Sequence, residues 1–143
     1  MHHRTLGKTE FSVSEISFGT WQVGGKWGEP FSDATADAIL DAGADAGVNF
    51  IDTADVYGDG ASEAAVGRLV RRRSERIFVA TKYGRRLQPH TNEAYQPAAL
   101  RGFVEDSLRN TGLDTPDLMQ LHYPPTDVFY RPEIFELFDK LRE

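Results

Sequence analysis

Residues Val48–Asp52 read VNFID and run straight into the loop Thr53–Ala61, TADVYGDGA. An apolar run this short, followed by turn residues, predicts a buried strand rather than a helix. Two other stretches have the same form: Ile77–Lys82 (IFVATK) and Leu118–His122 (LMQLH). Each run ends in a polar residue, so three apolar strands deliver an acid, an ammonium and an imidazole to their C-terminal ends. Side chains alternate faces along a strand. Phe50 therefore shares a face with Asp52, Phe78 and Ala80 with Lys82, and Gln120 with His122. As neighbours in one parallel sheet, the strands would stand about 5 Å apart. Asp52, Lys82 and His122 would then converge at one rim, with Tyr57 hanging over them from the loop after Asp52.

Working outward, Arg4–Val13 (RTLGKTEFSV) alternates polar and apolar residues around Gly7 and Lys8, which predicts a hairpin. Ile16–Thr20 (ISFGT) reads as a first buried strand that enters a Gly- and Trp-rich loop, Trp21–Gly28. A helix over Ala34–Ala46 follows, with Ser32 or Asp33 as N-cap and Gly47 just past its end. Ile39 and Leu40 supply its modest apolar stripe. Ser62 is expected to cap the next helix, which carries Ala65, Val66, Leu69 and Val70. Pro97 opens a third helix that closes near Gly112, and Pro132 opens a fourth with Ile134, Phe135, Leu137, Phe138 and Leu141. The pattern predicts one domain over 1–143: a hairpin over 4–13 and four βα units over 16–143. Strands alternating with helices at this spacing lie parallel, with the helices outside. The class is α/β, and the C-terminal rim is where an α/β barrel keeps its chemistry. Four units alone leave two open sheet edges and an apolar inner face, containing Phe50 and Phe78, with nothing to cover it.

A chain of 143 residues with net charge -6 lacks the basic surface that a nucleic-acid partner demands. Half of its cations fall between Arg68 and Arg86, and the Arg71–Arg73 run reads as a helix end, where cations complement the macrodipole. With no cysteine there is neither a disulfide framework nor thiol chemistry, which suits a cytoplasmic setting. No apolar stretch has the length of a membrane span, and the opening MHHRTLGKTE lacks the apolar region of a signal peptide. His2 and His3 make a poor metal site, and no zinc-ligand spacing occurs elsewhere.

The rim residues suit one kind of chemistry. A lysine ammonium beside a phenol favours its ionised form and so eases donation of its proton. A sheltered ammonium needs a countercharge, which Asp52 can supply from the adjacent strand. His122 can donate a hydrogen bond to a carbonyl oxygen and fix its orientation. Together the four form a proton-donating oxyanion site.

These same residues resemble the aldo-keto reductase family. The segment Gly47–Gly67 is similar to its first signature, with Asp52, Tyr57, Gly58, Ser62, Glu63 and Gly67 in the expected places. VATKYG around Lys82 and DLMQLHYP around His122 match its next two active-site segments, and RTLGKTEFSVSEISFGTW resembles its hairpin and first strand. The resemblance implies a (β/α)8 TIM barrel that reduces an aldehyde or ketone with a nicotinamide cofactor, NADP(H) ahead of NAD(H). It makes Tyr57 the general acid, Lys82 and Asp52 the groups that tune it, and His122 the group that orients the carbonyl. It also lays Gly19, Thr20 and Trp21 against the nicotinamide end of the cofactor, where Asp52 touches the same region. Trp21, Trp27 and Tyr123, with Tyr57 and His122, become walls of the substrate pocket. Family members have eight βα units, so the groups that hold the nicotinamide amide and the adenosine phosphates are expected beyond Glu143. The chain then reads as the N-terminal half of a longer barrel, with a complementing half or self-association as alternatives. A cofactor-sensing subunit and a purely structural half-barrel are the rival functions.

Overall fold

Four parallel strands lie side by side in chain order, and the three apolar runs supply three of them. The computed structural model describes residues 1–25 and 28–142. It opens with an antiparallel hairpin of β1 (His3–Thr5) and β2 (Ser12–Ser14). Then β3 (Phe18–Gly19), β4 (Phe50–Asp52), β5 (Phe78–Tyr83) and β6 (Leu118–Leu121) pair in the order β3-β4-β5-β6, every pair parallel. Helices α1 (Asp33–Asp45), α2 (Ala61–Arg72) and α3 (Pro97–Thr111) cross between them, and α4 (Pro132–Arg142) follows β6. This is the α/β architecture of half a (β/α)8 barrel, as expected. None of the helices among the described residues is long and apolar enough to cross a membrane.

Register sorts the strand residues by face. Ile51 pairs with Val79, and Tyr83 pairs with Leu121. These residues turn outward beneath the helices, into two apolar clusters. One joins Ile51 and Val79 to Leu40, Val66 and Leu69; the other joins Tyr83 to Tyr95, Leu100 and Ile134. Asp52 pairs with Ala80, and Lys82 with Gln120, on the opposite, inner face. That face is not left bare throughout. The hairpin lays Phe11 against Phe78, ring centroids 4.9 Å apart, and Arg76 sits 4.7 Å from the same ring. Phe78 is consequently buried while Phe50 is half-buried, which corrects the expectation of an uncovered face.

The first strand is shorter than its apolar run suggests. Only Phe18 and Gly19 join the ladder, and Ile16 remains 62% exposed because β3 is an edge with a partner on one side only. Among the helix signals, Ser32 caps α1 by accepting the Thr35 N–H at 3.2 Å, and Gly112 ends α3 with φ 64°. Leu40 faces the α1 core and Ile39 faces out. The start of α2 departs from expectation. Gly60, at φ 86°, is its N-cap, and Ser62 lies inside the first turn with its hydroxyl turned into the protein. Gly67 is required on the opposite count, that of space: a Cβ there would sit 1.8 Å from the carbonyl oxygen of Thr111, so it is what lets α2 and α3 pack closely.

The arginine run at the end of α2 has partners that the sequence reading did not assign. Asp33, Asp37, Asp41 and Asp45 recur every four residues and so form one stripe along α1. Arg68 pairs with Asp33 and Asp37, Arg72 with Asp37 and Asp41, and Arg73 with Asp41 and Asp45. The hydrogen bond from Arg72 beside it holds the Asp41 carboxyl below its ordinary range.

Candidate active site

Hydrogen bonds carry the sheet past the formal ends of its strands, and this continuation assembles the rim. The Thr53 N–H donates to Ala80 O at 2.9 Å and the Asp55 N–H to Lys82 O at 3.0 Å. In the same way the His122 N–H donates to Tyr83 O at 2.8 Å, so His122 leaves β6 in register with the end of β5. The chain then turns sharply after Tyr57, through Gly58, Asp59 and Gly60, all with positive φ. That compact turn returns Tyr57 over the strand ends.

The Lys82 ammonium donates to Asp52 Oδ2 at 2.7 Å and to Thr53 O at 2.9 Å. Side-chain exposure is 18% for Lys82 and 32% for Asp52, enough shelter to strengthen the pair beyond a surface contact. Lys82 Nζ lies 5.1 Å from the centre of the Tyr57 ring, and the Tyr57 and His122 rings meet edge to face at 5.9 Å. The four expected residues are therefore together on one side of the sheet. They touch through rings rather than through the phenol oxygen. Among the described residues the Tyr57 hydroxyl bonds to neither Lys82 nor His122, because the ammonium is already held by Asp52 and Thr53. His122 is held below the usual imidazole range by burial, then by the charges of Lys82 and Arg85, so its ring is neutral at neutral pH. Its Nδ1 is buried with no hydrogen-bond partner among the described residues.

The other expected residues divide. Gly19 pairs with Asp52 and leaves open space where a side chain would stand. Trp21 is 60% exposed and lines a cavity of about 360 Å³ with Gly24, Phe31, Val56 and Gly58, beside the Tyr57 turn. Thr20 is fully buried beneath the rim. Its hydroxyl donates to Asp52 O at 3.1 Å and accepts from Ser62 Oγ at 2.7 Å. Tyr123 stands 76% exposed beside His122. Trp27 lies outside the described residues.

Three groups beneath the rim hold positions that the sequence did not reveal. Ser62 Oγ lies 3.1 Å from the Thr53 hydroxyl as well as bonding Thr20, tying β3, the Asp52 loop and α2 together. Glu63 is fully buried, accepting from Thr81 Oγ1 at 2.6 Å and Asn110 Nδ2 at 2.8 Å. Its spacing from Val66, Gly67 and Val70 is the i+3, i+4, i+7 mark of an inward face, a signal open to sequence reading. Asp55 is also fully buried, and among the described residues neither carboxyl oxygen has a hydrogen-bond partner. Burial pushes its carboxyl up to about 6, against the pull of Arg86 at 3.9 Å. No pattern in the sequence marks it.

Chemically, the rim offers an ammonium–carboxylate pair, an unengaged phenol and a neutral imidazole around an open face. The model of the aldo/keto reductase family matches residues 15–143. A 6-dehydroglucose reductase from Novosphingobium aromaticivorans is 34% identical over 95% of this chain and 46% of its own length. The holo form of an aldo-keto reductase from Bacillus halodurans superposes with TM-score 0.83 at 32% identity, over 99% of this chain and 46% of that one. An aldo-keto reductase from Klebsiella pneumoniae in complex with NADPH gives TM-score 0.69 at 30% identity, over 92% of this chain and 42% of that one. The chain thus spans less than half the length of each of these proteins.

Proposed function

The chain belongs to the aldo/keto reductase family, and from that premise we propose that it carries the proton-delivering half of an NADPH-dependent carbonyl reductase. The observation behind this reading is the 2.7 Å Lys82–Asp52 contact at an open rim, with the Tyr57 and His122 rings beside it. His122, neutral and with one ring N–H to give, orients the carbonyl oxygen of an aldehyde or ketone. Tyr57 then passes its phenolic proton to that oxygen. The Lys82 ammonium, fixed by Asp52 and Thr53 O, balances the charge left on the phenolate. When bound, NADPH supplies the hydride. Gly19, which leaves open space where a side chain would stand, would hold its nicotinamide end together with Trp21 and Asp52, and Thr20 braces that edge through its bond to Asp52 O. The arginines at the end of α2 are already engaged, Arg68, Arg72 and Arg73 by α1 carboxylates and Arg71 by Thr111 O, and so offer the diphosphate no receptor. A second set of βα units is therefore assigned to the rest of the dinucleotide, and the small carbonyl substrate is the partner of the rim. A cytoplasmic setting suits such a reaction.

The test is a titration with NADPH and with NADH, because one relative of similar identity is named as NADH-specific. Tryptophan fluorescence reports binding, and dinucleotide oxidation with a generic aldehyde reports turnover. The 143-residue chain is expected to bind weakly and to reduce negligibly. A form with the remaining βα units is expected to reduce the aldehyde, since positioning of the reactants supplies about 7–11 kcal/mol of the barrier reduction. Tight, saturable binding with turnover by the 143 residues alone would refute this division of labour.

A further inference from the structure

Next to His122 lies a cluster that the chemistry above leaves unused. Because the His122 N–H bonds Tyr83 O, the residues that follow, Arg85 on one strand and Tyr123 on the other, leave the sheet together. The Arg85 guanidinium lies 5.5 Å from the centre of the Tyr123 ring. Tyr123 is stacked with His90, centroids 6.4 Å apart and planes within 2°. His90 Nε2 in turn hydrogen-bonds the hydroxyl of Tyr95 at 2.8 Å, and Tyr95 is fully buried. Tyr123 holds φ 54°, a left-handed conformation that a bulky side chain adopts only when its surroundings impose it. An exposed aromatic is thus anchored to the core through two neighbours.

Arg85 differs from most arginines of this acidic chain. Arg68, Arg72, Arg73, Arg86 and Arg131 are each bound by carboxylates, whereas Arg85 is exposed and has no carboxylate partner among the described residues. Its charge nevertheless reaches the His122 imidazole. A guanidinium beside an aromatic ring offers a planar fork matched to carboxylate or phosphate oxygens. We propose that Arg85, resting on the Tyr123–His90 platform, is a specificity residue that selects carbonyl substrates bearing an anionic group, carboxylate or phosphate, a few bonds from the carbonyl carbon. The proposal rests on the carbonyl-reduction reading of the adjacent rim and names the substrate class of that site.

Three probes separate the possibilities: succinic semialdehyde, glyceraldehyde 3-phosphate and neutral butanal. Binding to the chain is followed by the NMR resonances of the His90 and His122 imidazoles, and turnover by kcat/KM in a reductase-competent form. The anionic aldehydes are expected to be preferred over butanal by about tenfold or more, the scale of one charge-assisted hydrogen bond. In Arg85→Gln that ratio falls towards one, in Arg85→Lys it partly returns, and added salt shrinks it. A preference for only one of the two anionic probes identifies carboxylate or phosphate as the group selected. If none of the aldehydes is reduced but the binding preference exists and collapses in Arg85→Gln, the anion site stands and the reductase reading falls. If all three are reduced alike, if the preference survives Arg85→Gln, or if no probe shifts either imidazole, the proposal for Arg85 is overturned.

Discussion

On the outer face of β4 and β5, Ile51 and Val79 are 0% and 1% exposed beneath α1 and α2. On the inner face of the same strands, the side chains of Asp52 and Lys82 keep 32% and 18% of their surface open. The backbone is common to both, so the difference lies in what each face meets. The outer face meets apolar side chains such as Leu40, Val66 and Leu69, all supplied by this chain. The inner face is covered by Phe11 and Phe78 at its lower end and opens at the rim, where the polar residues stand. Substitution on the outer face should therefore act on stability, and substitution at the rim on chemistry.

The largest expected effect sharpens that contrast at Tyr57. In a reductase-competent form, Tyr57→Phe should lower aldehyde reduction by about 10²–10⁴, the usual contribution of a positioned proton donor. Its melting temperature should hardly move, because the hydroxyl is bonded to neither Lys82 nor His122. A parental rate in this variant would remove Tyr57 from its assigned role. Leu69→Ala is the converse. Leu69 is fully buried between α2 and the sheet, and truncation should cost about 2–5 kcal/mol in denaturant unfolding.

Asp55 is the residue on which the contrast is most open to breaking, since it is a rim-loop residue with the burial of a core residue. Its folded carboxyl titrates at about 6, above the value of about 3.9 for an unfolded chain. The fold therefore favours the protonated form. Its contribution is fully present below pH about 4 and is lost as pH rises through about 6. Asp55→Asn should raise stability at pH 8 by about 1–3 kcal/mol and leave it nearly unchanged at pH 4. A pH-independent effect would mean that the carboxylate finds a partner. The smallest effect is expected at Ser62. Ser62→Ala removes the hydroxyl that links Thr20 to Thr53 and should cost about 1 kcal/mol in thermal unfolding, measured against the parent chain.

How much of this could be read in advance varies with the residue. The runs ending at Asp52, Lys82 and His122 were readable because strand parity and short apolar length are local properties. Ser32 and Gly112 were readable because capping depends on the residues of one turn. Ser62 misled for the same reason: it precedes an apolar helix as a cap would, yet Gly60 takes that place and frees the hydroxyl for Thr20, 42 residues away in sequence. The aspartates of α1 show a readable period of four, but only the placement of α2 beside them gives that period its partners, Arg68, Arg72 and Arg73.

By itself, then, the sequence determined the order of strands and helices, the face each strand residue takes, and the convergence of Asp52, Lys82, His122 and Tyr57 at one rim. The first two follow from backbone periodicity within a few residues, and the convergence from that periodicity once the strands lie side by side in chain order. The tertiary structure alone decided which polar groups beneath that rim lose their water. Glu63 is satisfied by Thr81 and Asn110, while among the described residues the carboxyl oxygens of Asp55 have no hydrogen-bond partner and Arg86 stands 3.9 Å away. Among the described residues Arg85 meets none of the carboxylates that bind most other arginines. Burial and charge pairing depend on what distant segments bring against a residue, and that is settled only once the helices have packed onto the sheet.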